Sequence, residues 1–246
     1  MVLPLFNHPL SPQPNEGDSL VLSGSEAKHA VTVRRMRVGE GIQLSNGDGL
    51  RAIGVVAGID GNNLAVQISQ VRTESKPAPA LILVQALAKG DRDELAIQAA
   101  TELGVFGVVP WQADRSISRW DGPKIFKGVE RWQVIVTEAA KQALRSFTPR
   151  VSQPVSTKEL VKSVAGYSRV LVLDPTASES LAQIQLPANG EIAIVVGPEG
   201  GISDSELALL ESAGAVRIHL GDSILRTSTA GMAAVSVLQS KLGHWG

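Results

Sequence analysis

The run Ile192-Ala-Ile-Val-Val196 followed by Gly197-Pro-Glu-Gly-Gly-Ile-Ser-Asp-Ser-Glu206 decides how the rest of the chain is read. Five consecutive apolar residues form a buried strand, and Ser203 with Glu206 three residues later caps the helix that follows. Between them, three glycines and a proline let backbone N–H and C=O groups come close to a flat ligand. A glycine-proline turn joining a strand to a helix needs no ligand. The polar Glu199 in its middle is what a plain turn does not call for.

The same grammar extends outward from this unit. Apolar runs at 81–87, 105–110, 170–173 and 216–220 alternate with helical stretches at 91–103, 123–145 and 227–241. Such alternation predicts an α/β domain with a mostly parallel sheet covered by helices on both faces. Asp91-Arg-Asp-Glu94 matches a capping box, and Glu94, Gln98 and Glu102 recur every four residues as a solvated face.

Residues 18–72 read differently, as short segments separated by glycine turns, which suggests a small β-barrel or sandwich. One helix interrupts it, opened by the capping box Ser23-Gly-Ser-Glu26 and running to about residue 35. Thr73-Glu-Ser-Lys-Pro-Ala-Pro-Ala80 has two prolines and no periodicity, so it is the linker. The expected domains are 1–73 and 78–246.

Composition narrows the class. Hydrophobic residues make up 43% and charged residues 19%, a globular balance. With no cysteine, disulfides, thiolate metal sites and a cysteine nucleophile are out of reach. His8, His29, His219 and His244 lack ligand spacing, so no metal site is expected. The N-terminal residues, broken by Pro4 and Pro9, lack a signal-peptide layout, and no run approaches the roughly 18 apolar residues of a membrane span. The expectation is a cytoplasmic protein with no membrane contact. The 23 Lys and Arg against 24 Asp and Glu give no global field toward nucleic acid, so any RNA affinity is local.

Ligand groups in open parallel sheets gather beyond the carboxyl ends of the strands. Besides 197–206, two more loops lie there. Gly221-Asp-Ser-Ile-Leu-Arg-Thr-Ser-Thr-Ala230 offers backbone donors, an apolar slot and Arg226 at a helix start, where the dipole disfavours a cation. Asp174-Pro-Thr-Ala-Ser178 supplies turn and cap residues. Neither G-x-G-x-x-G nor a P-loop occurs, which leaves nucleoside binding through these loops. Residues 115–150 are rich in Lys and Arg with aromatics interleaved. Trp132 follows the helical period and belongs to the core, while Trp120 stays open between core and base stacking. Arg34, Arg35 and Arg37 form a second cationic group at a helix end.

These loops carry a resemblance. Gly197-Pro-Glu-Gly-Gly with Ser203 and Glu206, then Leu220-Gly with Ile224-Leu-Arg-Thr and Thr229-Ala, resemble the RsmE family of SPOUT ribosomal RNA methyltransferases, which act on uridine N3 of small-subunit RNA. Gln85-Ala-Leu-Ala-Lys-Gly90, Glu94, Gln98, Glu102-Leu-Gly104, Arg115, Trp132, Gln142 and Arg145 extend the match upstream. His29, Arg34 to Arg37 and Gly39 resemble the family's PUA-like module. Ser223, Ser228 and the run Lys141-Gln-Ala-Leu-Arg145 depart from the family pattern.

The resemblance implies an N-terminal PUA-like β-barrel, a trefoil-knotted SPOUT domain and a homodimer. It further implies S-adenosylmethionine held by Leu173, Gly197, Pro198, Gly200, Gly201, Leu220, Gly221, Ile224, Leu225 and Thr227. Small-subunit ribosomal RNA, free or in the assembled subunit, would meet Arg34, Arg35, Arg37, Lys89, Arg115, Lys141 and Arg145. The implied reaction is displacement by deprotonated uridine N3 on the sulfonium methyl, with Arg226 orienting the uracil or stabilising its anion and Glu199 as a candidate base. Methylation of another RNA such as transfer RNA, and a noncatalytic RNA-binding assembly protein, are the alternatives.

Overall fold

A computed structural model describes residues 2–245 of the chain. It holds two compact units: residues up to Lys76 together with Ala140–Thr148, and Pro77–Ala139 with the residues from Pro149 onward.

The first unit contains β1 (Leu5–Asn7), β2 (Ser19–Leu22), α1 (Gly24–Lys28), β3 (Gly41–Ser45), β4 (Leu50–Asp60) and β5 (Asn63–Thr73), in one sheet of order β1-β3-β4-β5-β2. Side chains alternate along β4, with Leu50, Ala52 and Val56 buried and Val55 exposed, the period of a strand with one face on a core. That face packs with Phe6, Ile42, Leu44, Leu64 and Val66. The helix continues past α1 as a π-helical turn, His29–Val33, and Arg35 then takes a left-handed backbone (φ 54°) that stops it.

The expected capping box at Ser23 does not form: the Ser23 side chain makes no cap hydrogen bond. Glu26 instead accepts from the Asn7 N–H (3.1 Å) and from Lys141 Nζ (3.0 Å). A buried cation outcompetes a helix N–H for the same carboxylate, because charge-assisted bonds are stronger at low exposure.

The second unit contains β6 (Ala80–Ala86), α2 (Arg92–Glu102), β7 (Gly107–Gln112), α3 (Pro123–Gln142, whose last turn joins the first unit), β8 (Arg150–Val151), β9 (Val155–Ser156), α4 (Thr157–Ser163), β10 (Arg169–Leu173), β11 (Glu191–Val196), α5 (Asp204–Ser212), β12 (Val216–Ile218) and α6 (Thr227–Lys241). All its strand pairs are parallel, in the order β12-β10-β11-β6-β7-β8, with β9 also on β7. The expected α/β class is what the chain adopts. Ile192, Ile194 and Val196 face one core with Leu83, Ile97 and Val235, while Ala193 and Val195 face the other with Leu160 and Leu210. A strand buried on both faces reads as an unbroken apolar run, which is why 192–196 has no polar alternation. Each such aliphatic side chain contributes about 1.5–3 kcal/mol on burial.

Two helix expectations need correction. The helix expected at 123–145 ends at Gln142, because Leu144 takes φ 55° and the Arg145 N–H turns back to the Ala140 carbonyl (2.9 Å). At α2, Asp91 makes no side-chain cap bond. Asp93 there binds the Ala88 N–H (3.0 Å), and Glu94 pairs with Arg131.

Candidate active site

Strands β10, β11 and β12 end on the same edge of the sheet, so the three loops singled out in the sequence converge there. They enclose a cavity of about 500 Å³, within the roughly 300–1,000 Å³ of small-molecule sites. Thr227, the first residue of α6, ties the loops together: its hydroxyl donates to the Gly197 carbonyl (2.8 Å) and accepts from Gln85 Nε2 (2.9 Å) at the buried end of β6. Gly197 has no room for a side chain, since a Cβ there would stand 2.7 Å from Ile202 Cγ1. Ser203 and Glu206 form the expected capping box. The Glu206 carboxylate also accepts from the Asp114 N–H (2.9 Å) and the Thr157 hydroxyl (2.7 Å), so it fastens α5 to the neighbouring loop and to α4. Burial alone would raise the Glu206 carboxyl, but these hydrogen bonds hold it below the usual carboxylate range.

The structure gathers most of the sequence-derived residues on one wall. Leu173, Gly197, Pro198, Gly201, Leu220, Gly221, Ile224, Leu225 and Thr227 line the cavity, as do Arg226 and Glu199. Gly200 stands off it, its carbonyl accepting from Arg115 Nη1 (3.1 Å). Arg226 is exposed at the N-cap of α6, and its guanidinium has no hydrogen bond or ion pair among the described residues. Glu199 is engaged at one oxygen, which accepts from the Lys89 N–H and from Arg92 Nη1, each at 3.0 Å. Ile224 is 82% exposed at the rim, an apolar side chain with nothing yet to cover it.

Several lining residues carry no binding role assigned from the sequence: Arg92, Asp174, Pro175, Ile202, Ser223 and His219. Asp174 and His219 each adjoin one of the loop motifs and read locally as a turn residue and a packed histidine. His219 Nδ1 accepts from the Gly221 N–H (3.1 Å), which shapes the second loop. Burial would raise the Asp174 carboxyl, yet the Thr176 N–H and the Arg217 guanidinium (Nε at 2.7 Å) keep it below the usual range. Asp174 is therefore a brace between β10 and β12 at the cavity floor.

The cationic residues divide. Arg34, Arg35, Arg37, Lys89 and Arg115 are exposed. Lys141 is 5% exposed and paired with Glu26, and burial pushes the Arg145 guanidinium down to about 10. Lys141 is therefore committed to the fold rather than offered to phosphate, a correction to its sequence reading. Among the described residues, no group of three or more His, Asp or Glu is placed to hold a metal ion. No helix there is long and apolar enough to cross a membrane.

The second unit is an RNA methyltransferase domain: the family model of that description matches residues 74–239, and the RNA methyltransferase PUA domain matches 22–69. A Mycobacterium bovis protein, ribosomal RNA small subunit methyltransferase E, is 41% identical over 94% of this chain and 90% of its own length. The Bacillus subtilis protein of that name is 32% identical over 92% and 91%. A crystal structure of the Neisseria gonorrhoeae enzyme of that name, bound to S-adenosylmethionine, superposes with a TM-score of 0.86 at 27% identity, covering 98% of each chain. This chain belongs to the ribosomal RNA small subunit methyltransferase E family.

Proposed function

We propose that this protein transfers the methyl group of S-adenosylmethionine to N3 of a uridine in small-subunit ribosomal RNA. The observation that carries the reading is the three-loop cavity at the carboxyl edge of the sheet, with the unpartnered Arg226 at its mouth. The wall suits the cofactor. Leu173, Leu220 and Leu225 make an apolar slot for an adenine, and the Gly197, Gly201 and Gly221 backbone supplies polar groups without side-chain bulk. Ile224 gains cover when the cofactor fills the cavity.

When bound, S-adenosylmethionine supplies an electrophilic methyl group on a sulfonium. The protein's own part is placement and charge. Arg226 faces the uracil and stabilises the negative charge that spreads to its oxygens as N3 gives up its proton. Glu199 holds the 197–201 loop against Lys89 and Arg92 and so sets the shape of the mouth; Gly200 does the same through Arg115. Arg34, Arg35, Arg37, Lys89 and Arg115 neutralise phosphates along the RNA. Family membership supports a knotted chain path around the cofactor, a homodimer, and a cytoplasmic setting where ribosomal subunits are assembled.

The test is transfer of labelled methyl from S-adenosylmethionine to unmodified small subunits, read by nucleoside mass spectrometry. Three-methyluridine is the expected product; methyl found only on transfer RNA, or nowhere, overturns the reading. Arg226→Ala is expected to lower kcat about 10²–10³-fold, the effect of losing one oxyanion donor, while calorimetry shows cofactor affinity little changed. Normal turnover in that variant removes Arg226 from the chemistry.

A further inference from the structure

A second cavity, of about 370 Å³, opens beside the first. Its walls are Lys89 and Gly90 from the loop after β6, Asp93 and Glu94 from the first turn of α2, Trp120, and the Gly128 and Arg131 face of α3. The two cavities adjoin through one carboxylate. Glu199 lines the first, and it accepts from the backbone of Lys89, which lines the second.

Trp120 is held there with care. A Cβ on Gly128 would lie 2.5–2.7 Å from Cε2, Cδ2 and Cε3 of the indole, so the ring packs directly on bare helix backbone. Glycine weakens a helix interior relative to alanine, and the seat for the indole is what that glycine provides in return. The ring meets Trp132 in a T-shaped pair at 5.0 Å between centroids and 75°, and the Trp120 backbone N–H donates to Gln112 Oε1 (3.0 Å). Packed on Gly128 and against Trp132, the partly buried ring borders an open cavity.

The rest of the lining is mixed, with the apolar Ile117 beside the polar Lys89, Asp93, Glu94, Ser118 and Arg131. Lys89 is exposed, and its ammonium has no partner among the described residues. Asp93 is 4% exposed in the wall. It accepts N–H bonds from Ala88 (3.0 Å) and Glu94 (2.8 Å), and burial pushes its carboxyl up to about 6. Such a group presents a proton or a lone pair near neutral pH, either of which matches the edge of a nucleobase. An aromatic platform, a free cation and a carboxyl around one hollow are what an unstacked nucleotide needs.

We infer that this cavity receives a second nucleotide of the RNA, splayed out beside the acceptor uridine, with its base on Trp120 and its phosphate toward Lys89. The inference rests on the proposed methyl transfer and adds the means of choosing sequence context around the acceptor. Flanking nucleotides commonly set such context in enzymes that act on an extruded base.

The test uses the full-length protein and small-subunit RNA. Trp120→Ala is expected to raise KM for RNA roughly ten-fold or more, from the loss of one stacked base, with cofactor affinity held within two-fold. Trp120→Phe is expected to recover most of it. An unchanged KM in Trp120→Ala overturns the inference. Because Trp120 also packs on Trp132, the wild-type protein supplies a second measurement: RNA carrying photoreactive uridine beside the acceptor should cross-link to a peptide containing Trp120. Cross-links that fall only elsewhere overturn the subsite and leave the methyl-transfer reading standing. Wild-type protein that transfers no methyl to small subunits overturns both.

Discussion

The N-termini of α5 and α1 open on the same spacing, Ser203 to Glu206 and Ser23 to Glu26, and use it in opposite ways. At α5 the serine caps the helix and the glutamate turns back to its backbone, while its other oxygen reaches Asp114 and Thr157. At α1 the serine caps nothing and the glutamate crosses to Asn7 and Lys141. A carboxylate at the third helical position serves whichever donors the tertiary structure brings to it, and a capping box forms where those donors leave an oxygen to spare. The same rule governs α2, where Glu94 leaves the helix end for Arg131. It also governs α4, an unanticipated box at Ser156 and Glu159, where Glu159 accepts from both the N–H and the hydroxyl of Ser156.

The comparison is sharpest at Glu206. Its 1% exposed carboxylate satisfies the Asp114 N–H, the Thr157 hydroxyl and the Ser203 N–H together. Glu206→Ala strands those donors, each costing about 1–3 kcal/mol when buried without a partner, and the expected loss is about 3–5 kcal/mol. Urea denaturation measures it. A loss under about 1 kcal/mol would show that the box alone, and not the link to Asp114 and Thr157, is what Glu206 provides.

A second contrast is in sign. Glu206 titrates below the usual carboxylate range and Asp93 above it. The hydrogen bonds of Glu206 thus contribute stability that is lost as pH falls through its folded value. Asp93, raised to about 6, contributes stability that is fully present below 3.8 and lost as pH rises through about 6. Asp93→Asn cannot titrate. Between pH 7 and pH 4 the stability of the wild type relative to Asp93→Asn should therefore rise, by up to about 3 kcal/mol, because each tenfold gain in proton affinity on folding is worth about 1.4 kcal/mol. Parallel denaturation curves at the two pH values check it. A constant difference would mean that Asp93 is ionised throughout and that its wall is wetter than its burial implies.

These contrasts mark what the sequence makes legible. The strand and helix alternation of the second unit follows from local period, and 227–241 coincides with α6. The first cavity is legible because its loops are contiguous motifs, each at the end of an apolar run. The second cavity is not. Asp93, Trp120, Gly128 and Arg131 come from three separate stretches of chain, and each alone reads as a cap, a core residue, a weak helix former or a surface charge. Lys141 misleads for the same reason. It stands among the many Lys and Arg of 115–150, and its partner Glu26 lies 115 residues away.

Glu26 supplies the smallest of the expected effects. Glu26→Gln keeps the volume of the side chain and one acceptor oxygen, which serves either the Asn7 N–H or Lys141, and removes the charge and the second acceptor. A charge-assisted hydrogen bond contributes about 1.5–3 kcal/mol, and the amide retains part of it, so a loss of about 1–2 kcal/mol is expected in urea. If the first unit uses Glu26 as an electrostatic brace, Glu26→Gln loses stability while the mirror change Glu206→Gln loses either the Ser203 contact or the two to Asp114 and Thr157 and falls further. Equal losses would show that charge counts for as much at α5 as at α1. The division between a carboxylate that caps and one that braces would then reduce to hydrogen-bond number alone.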